Sequence, residues 1–122
     1  MEFGFAEKVL ILGEEYVIEI KDEDPGFKGE HVGANGYTDY AKKRIVLRDK
    51  SEWPAYENCL EELEIMMKKT LRHEIVHAFL FESGLNGSTT CGKPWARNEE
   101  MVDWMAIQGP KFVKAWQDAG AL

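Results

Sequence analysis

Thr70-Leu71-Arg72-His73-Glu74-Ile75-Val76-His77-Ala78-Phe79 is the stretch around which the rest of the chain organises itself. It lies inside a longer segment, about Asn58 to Glu82, in which Leu60, Leu63, Met67, Leu71, Ile75 and Phe79 recur at three- and four-residue steps. That period belongs to a helix with one apolar stripe against a core, and Ser83-Gly84 supplies its C-terminal stop. On such a helix His73 and His77 stand one turn apart on one side, with Met66 and Thr70, opposite Leu71 and Ile75.

Towards the N-terminus the pattern changes to alternation rich in β-branched residues. Lys8 to Leu12 and Tyr16 to Lys21 read as two strands, and Gly13 between them can take the positive φ of a tight hairpin. Asp22 to Gly36, with Pro25 and several glycines, reads as a loop or irregular strand. Tyr37 to Tyr40 and Arg44 to Arg48 form a second hairpin around a basic turn, with Ile45-Val46-Leu47 as the clearest strand core. Asp49 to Tyr56, containing Trp53-Pro54, connects this hairpin to the long helix. Beyond that helix a glycine- and hydroxyl-rich loop, Gly84 to Pro94, leads to a second helix, about Trp95 to Gln108. Gly109 ends it, and Pro110 opens a short third helix with Phe112, Val113 and Trp116 as its apolar face. Strands first and helices after predict an α+β fold: a small N-terminal antiparallel or mixed β-sheet packed on the long helix plus one or two C-terminal helices. With no internal repeat and no dividing linker, residues 1–122 read as one domain.

Composition narrows the function classes. The chain has 122 residues, 44% hydrophobic, with 15 Lys+Arg against 22 Asp+Glu and a net charge of −7. An acidic balance argues against a nucleic-acid binder, whose affinity rests on clustered Lys and Arg. The only run of three basic residues, Lys42, Lys43 and Arg44, reads as a solvated turn. No apolar run approaches the ~18 residues of a membrane span, and the first residues lack the basic head and cleavage site of a signal peptide. The expected setting is therefore the cytoplasm, without a membrane partner. Two cysteines, Cys59 and Cys91, are too few for a disulfide framework, and the three histidines become the residues to follow.

Two of them occupy His73-Glu74-x-x-His77. Residues four apart present two imidazole nitrogens from one side of a helix to a single tetrahedral ion, which points to Zn2+. Glu74 sits about 100° round the helix from His73. It can hydrogen-bond a metal-bound water but is badly placed to ligate beside both histidines, which makes it the candidate general base. A catalytic zinc site needs a third protein ligand and an open fourth position. A histidine six residues after His77 would mark the metzincin arrangement; that position is Ser83, and Leu80 stands where its glycine would be. The next helix carries Glu99 and Asp103 on the face of Trp95, Val102 and Ala106, so two carboxylates share an apolar stripe and need a cation. Either a metal or a salt bridge to Arg72 or Arg97 would supply one. Glu100 falls on another face and is solvated.

His73-Glu74-x-x-His77 followed by Asn98-Glu99-x-x-x-Asp103 resembles the gluzincin signature of thermolysin-like zinc peptidases. The compact layout and the run Glu99-x-x-Val102-Asp103-x-Met105-Ala106 look most like the small ImmA/IrrE-type metallopeptidases and minimal gluzincins, many of them phage- or prophage-borne. The resemblance covers about Tyr37 to Ala106. It implies His73, His77 and Glu99 as zinc ligands, Glu74 as general base and acid, and Asp103 as the partner orienting a ligand histidine. It also implies a zinc-dependent endopeptidase of a bacterial or phage-infected cell, whose protein or peptide substrate lies extended along an edge strand, Arg44 to Arg48 or Tyr37 to Tyr40. The tetrahedral oxyanion needs an electrophilic helper, for which Tyr37, Tyr40, His31 and Arg97 are the candidates. Cys91 could approach the metal as a latency switch. The alternative of another class is a zinc-binding, non-hydrolytic interaction domain, which would not need Glu74.

Overall fold

The computed structural model describes residues 4–49, 59–87 and 94–122, with only the backbone of Cys59 and Leu60. The Trp53-Pro54 connector, the expected helix start at Asn58, the side chain of Leu60, and Cys91 in its loop lie outside the described residues. The order is strands first and helices after: an α+β fold with a four-stranded mixed sheet, a long helix and a C-terminal helix.

Strands β1 (Lys8–Ile11) and β2 (Glu14–Lys21) form the expected hairpin. Its two-residue loop, Leu12-Gly13, has φ values of 50° and 86°, the positive pair that matches a tight turn to the right-handed twist of its strands. Strands β3 (Gly36–Asp39) and β4 (Arg44–Arg48) form the second hairpin. The Asp39 carboxylate accepts from the Lys42 amide at its turn.

The two hairpins join through β2 and β4, which pair in parallel, giving the order β1-β2-β4-β3. A parallel pair needs a crossover, and residues 22–43 supply it. Within this crossover the predicted loop contains a short helix, α1 (Pro25–Lys28), capped by the Asp24 side chain on the Gly26 amide at 3.0 Å. The strand β4 is hydrogen-bonded on both sides, so Arg44 to Arg48 is not an edge and cannot receive a peptide strand; β3 is the edge.

Helix α2 (Cys59–Glu82) lies across the sheet. Ile11, Tyr16, Ile45 and Leu47 meet Leu63, Met67 and Ala78 of the helix in the main core. Full burial of such a side chain contributes roughly 1.5–3 kcal/mol. On the other face of the sheet, Val46 is covered by Phe27 and Tyr37. The helix ends as expected: Gly84 takes φ 80°, its amide donates to the Phe81 carbonyl, and the Leu85 amide reaches Leu80, the pair of bonds that closes a helix C-terminus. Glu82 fastens that end to the sheet by accepting from the Tyr16 hydroxyl at 2.7 Å and from Lys43. Lys43 and Arg44 are thus part of ion pairs rather than a solvated turn.

The buried line of α2 differs from the predicted stripe. It runs Leu63, Met67, Thr70, Glu74, His77 and Ala78, whereas Phe79 is 40% exposed and Leu71 and Ile75 are only partly buried. The polar side chains therefore continue the apolar line instead of standing opposite it. Past Met67 the helix keeps Ala78 in the core, with Leu71 and Ile75 packed against it, while Thr70, Glu74 and His77 face a cleft between β3 and the C-terminal segment.

That segment also departs from expectation. Trp95–Arg97 is a single 3-10 turn, and Asn98 caps the next helix with its side chain on the Met101 amide at 3.0 Å. Helix α3 (Glu99–Asp118) then runs unbroken through Gly109 and Pro110, so there is no separate third helix. Phe112, Val113 and Trp116 are exposed. Among the described residues, no helix is long and apolar enough to cross a membrane.

Candidate metal centre

His73 and His77 project from α2 into a cleft of about 840 Å³ bounded by β3, the 3-10 turn and α3. Their Nε2 atoms lie 3.2 Å apart. The other nitrogen of each ring faces an acceptor: His77 Nδ1 is 2.7 Å from the Ala96 carbonyl, and His73 Nδ1 is 3.3 Å from Asp103 Oδ1. Neither oxygen can donate, so each Nδ1 carries a proton, and in the neutral imidazole each Nε2 presents its lone pair. Glu99 reaches both, with Oε2 2.9 Å from His73 Nε2 and Oε1 2.9 Å from His77 Nε2.

With both imidazoles neutral, two lone pairs and a carboxylate converge on one point, and a metal ion or protons on the rings would supply the positive charge that this arrangement requires. The dimensions fit zinc. Ligands about 2 Å from a tetrahedral ion are separated by about 3.3 Å from one another, close to the 3.2 Å between the two Nε2 atoms, and a different Glu99 oxygen lies 2.9 Å from each of them. All three residues offer a ligand atom within 4.8 Å of the others. Three protein donors on one side leave the fourth tetrahedral position to the cleft.

The two downstream carboxylates are not in the core, where the helical stripe places them. Glu99 is 65% exposed and Asp103 42%, because the edge of α3, not its buried face, meets the histidines. Only Val102 and Ala106 of that helix are buried. The alternative partners are engaged elsewhere: Arg72 Nε donates to the Ala106 carbonyl at 2.7 Å and Arg97 Nε to Asn86 at 2.6 Å. Lys69 is the nearest cation to Asp103, at 3.8 Å. Glu100 is exposed, as expected.

Glu74 lies beside the trio and is only 5% exposed. Burial pushes its carboxyl well above the ordinary carboxylate range, partly offset by the proximity of His77 and by a hydrogen bond from Thr38, while the charge of Glu99 adds to the rise. The Thr38 hydroxyl is 2.9 Å from Glu74 Oε1 and 3.0 Å from the Glu74 backbone carbonyl, so its single proton is shared between them. Thr38 and the Ala96 carbonyl are the two site groups that sequence reasoning missed. Strand alternation could have found the first, since a residue flanked by Tyr37 and Asp39 in β3 faces opposite to both; a backbone carbonyl has no sequence signal.

The same alternation sends Tyr37 away from α2. Its hydroxyl donates to Asp24 and accepts from Arg44 Nη2 at 2.7 Å. Burial and the Asp24 carboxylate push the phenol up to about 12. The Tyr37 hydrogen bond, helped by the Gly26 amide and Arg44, holds the Asp24 carboxyl below its usual range against the opposing effect of burial. Only glycine fits at position 26, because a Cβ there would stand 2.6 Å from the Tyr37 ring. Arg44 also reaches Glu19 at 3.5 Å. The remaining helper candidates line the cleft: Tyr40 stacks on Phe81 at 4.5 Å, His31 stacks on Tyr37 at 4.4 Å, and Arg97 holds Asn86.

Comparison with protein-family models, with curated proteins and with solved structures finds no match to this chain.

Proposed function

We propose that this chain is a zinc-dependent endopeptidase that hydrolyses peptide bonds of a protein substrate. One observation carries the reading: His73 Nε2, His77 Nε2 and the Glu99 carboxylate converge on one point while each Nδ1 faces an oxygen of its own. His73, His77 and Glu99 would hold the ion, and Asp103 and the Ala96 carbonyl fix the ring orientations and tautomers. Bound there, zinc supplies Lewis acidity and lowers the pKa of a coordinated water towards ~7.

Glu74 performs the proton transfers. It takes a proton from the attacking water as the new C–O bond forms at the scissile carbonyl carbon. It then delivers that proton to the amine nitrogen as the C–N bond breaks. The Thr38 hydroxyl holds Oε1, which leaves Oε2 for the proton. The substrate backbone lies extended along the edge strand β3, whose outer hydrogen-bonding side can pair with a peptide. This matches the mode implied by the resemblance to small gluzincins, and the working compartment is the cytoplasm of a bacterial or phage-infected cell.

A zinc-binding, non-hydrolytic domain would need the three ligands but not a buried carboxylate held by a strand hydroxyl, and that contact favours hydrolysis. Metal analysis and one substitution test the assignment. The purified protein should contain zinc, and His73→Ala should lose it; a protein that binds none, or that keeps it in His73→Ala, overturns the metal. Glu74→Gln should keep zinc yet fail to cleave proteins that the wild type cleaves when each is expressed in cells and the proteomes are compared. Equal cleavage by the two forms removes Glu74 from the mechanism.

A further inference from the structure

Helix α3 passes through Pro110 without breaking. Proline has no amide proton, so the carbonyl four residues earlier, that of Ala106, loses its helical donor. Ala106 is buried, and an unpaired carbonyl there would be costly. Its partner comes from the neighbouring helix: the Arg72 guanidinium donates through Nε at 2.7 Å. Arg72 immediately precedes the ligand His73, and Ala106 lies three residues beyond Asp103 and seven beyond Glu99. Glu99, Asp103 and Ala106 therefore mark successive turns along one side of α3, each joined to α2.

We infer that Pro110 and Arg72 form a clamp that sets the separation of the two helices carrying the proposed zinc ligands, with Arg72 a positioning residue for Glu99 and Asp103. The inference rests on the zinc reading above. It follows from how weakly α3 is otherwise held. Val102 and Ala106 are its only buried side chains, and the Glu99 carboxylate, 65% exposed, is not fixed by packing. A ligand on a long exposed side chain is only as well placed as the helix beneath it, and productive sites tolerate errors of about 0.5 Å. The clamp has a second effect. A guanidinium engaged on a backbone carbonyl is not engaged on Glu99 or Asp103, which leaves Glu99 for a metal and Asp103 for His73.

The test compares side chains of equal reach. Arg72→Gln places an amide N–H at the same point along the side chain as the guanidinium Nε, whereas Arg72→Met has the length but no donor. Zinc affinity is read by competition with a chromophoric chelator, and ligand geometry by the visible absorption of the cobalt(II)-loaded protein. Arg72→Met should weaken zinc about tenfold and shift the cobalt spectrum, and Arg72→Gln should recover most of that loss. Pro110→Ala returns a backbone donor to the Ala106 carbonyl, so the methionine penalty should shrink on that background, which also provides a folded comparison if Arg72→Met alone is unstable. Equal zinc affinity in the glutamine and methionine variants, whether unchanged or equally reduced, overturns the clamp. A wild-type protein that binds no zinc overturns the metal reading and the clamp with it.

Discussion

Two clusters of polar side chains border the same cleft and close their hydrogen bonds in opposite ways. In the first, Asp24, Tyr37 and Arg44 match acceptor to donor: the carboxylate receives from a phenol, a backbone amide and a guanidinium. In the second, His73, His77 and Glu99 turn two ring nitrogens and a carboxylate towards one another. The carboxyls register the difference. Asp24 is held below the ordinary range by its donors, and Glu74, beside the second cluster, is pushed above it by burial. A cluster whose carboxylate is met by its own donors serves structure, and one whose ring nitrogens and carboxylate face each other could hold a cation. A single strand serves both, since β3 sends Tyr37 to one face and Thr38 to the other.

The contrast can be broken from either side. The largest expected effect is at Glu74: replacement by Gln should lower cleavage about 10²–10⁴-fold with zinc content unchanged, measured on the same protein preparation. Next, Asp103→Asn should weaken zinc roughly 10–100-fold by loosening His73, without unfolding the protein. In the matched cluster the effects should reverse. Tyr37→Phe removes a hydrogen bond to a charged group and should cost about 2 kcal/mol in denaturant unfolding while leaving zinc affinity alone. A Tyr37→Phe protein of normal stability but greatly reduced turnover would instead make Tyr37 the oxyanion donor. The smallest effect is the acid limb of stability. Asp24 and Glu82, the latter held down chiefly by Lys43 and then Tyr16, have folded pKa values below their unfolded ones. Their stabilisation is complete above the unfolded carboxylate range of about 4 and is lost as pH falls through the lower folded values. Thermal melting of the metal-free protein should therefore drop as the pH falls below about 4, and Asp24→Asn should flatten that slope.

Much of this molecule was legible in the residues. Alternation marked both hairpins, Gly13 marked the first turn, and Ser83-Gly84 marked the end of α2, because each depends on backbone preferences that act over a few residues. The histidine spacing was legible for the same reason, since four residues make one helical turn. The failures share another cause. Periodicity locates an apolar stripe but not what packs on it, so Thr70 and His77, placed opposite Leu71 and Ile75, are more deeply buried than either. Gly109-Pro110 signalled a break on local propensity, yet the helix continues where Arg72 takes the freed carbonyl.

The residue order alone determined the two hairpins, the end of α2 and the spacing of His73, Glu74 and His77, because helical and strand geometry act over distances of a few residues. Only the tertiary structure decided that β2 and β4 pair in parallel, that β3 is the edge, and that Glu99 meets both imidazoles. These depend on contacts between segments 20 or more residues apart. Such contacts are chosen by the burial and hydrogen-bonding needs of the whole fold, and no local window of sequence contains them.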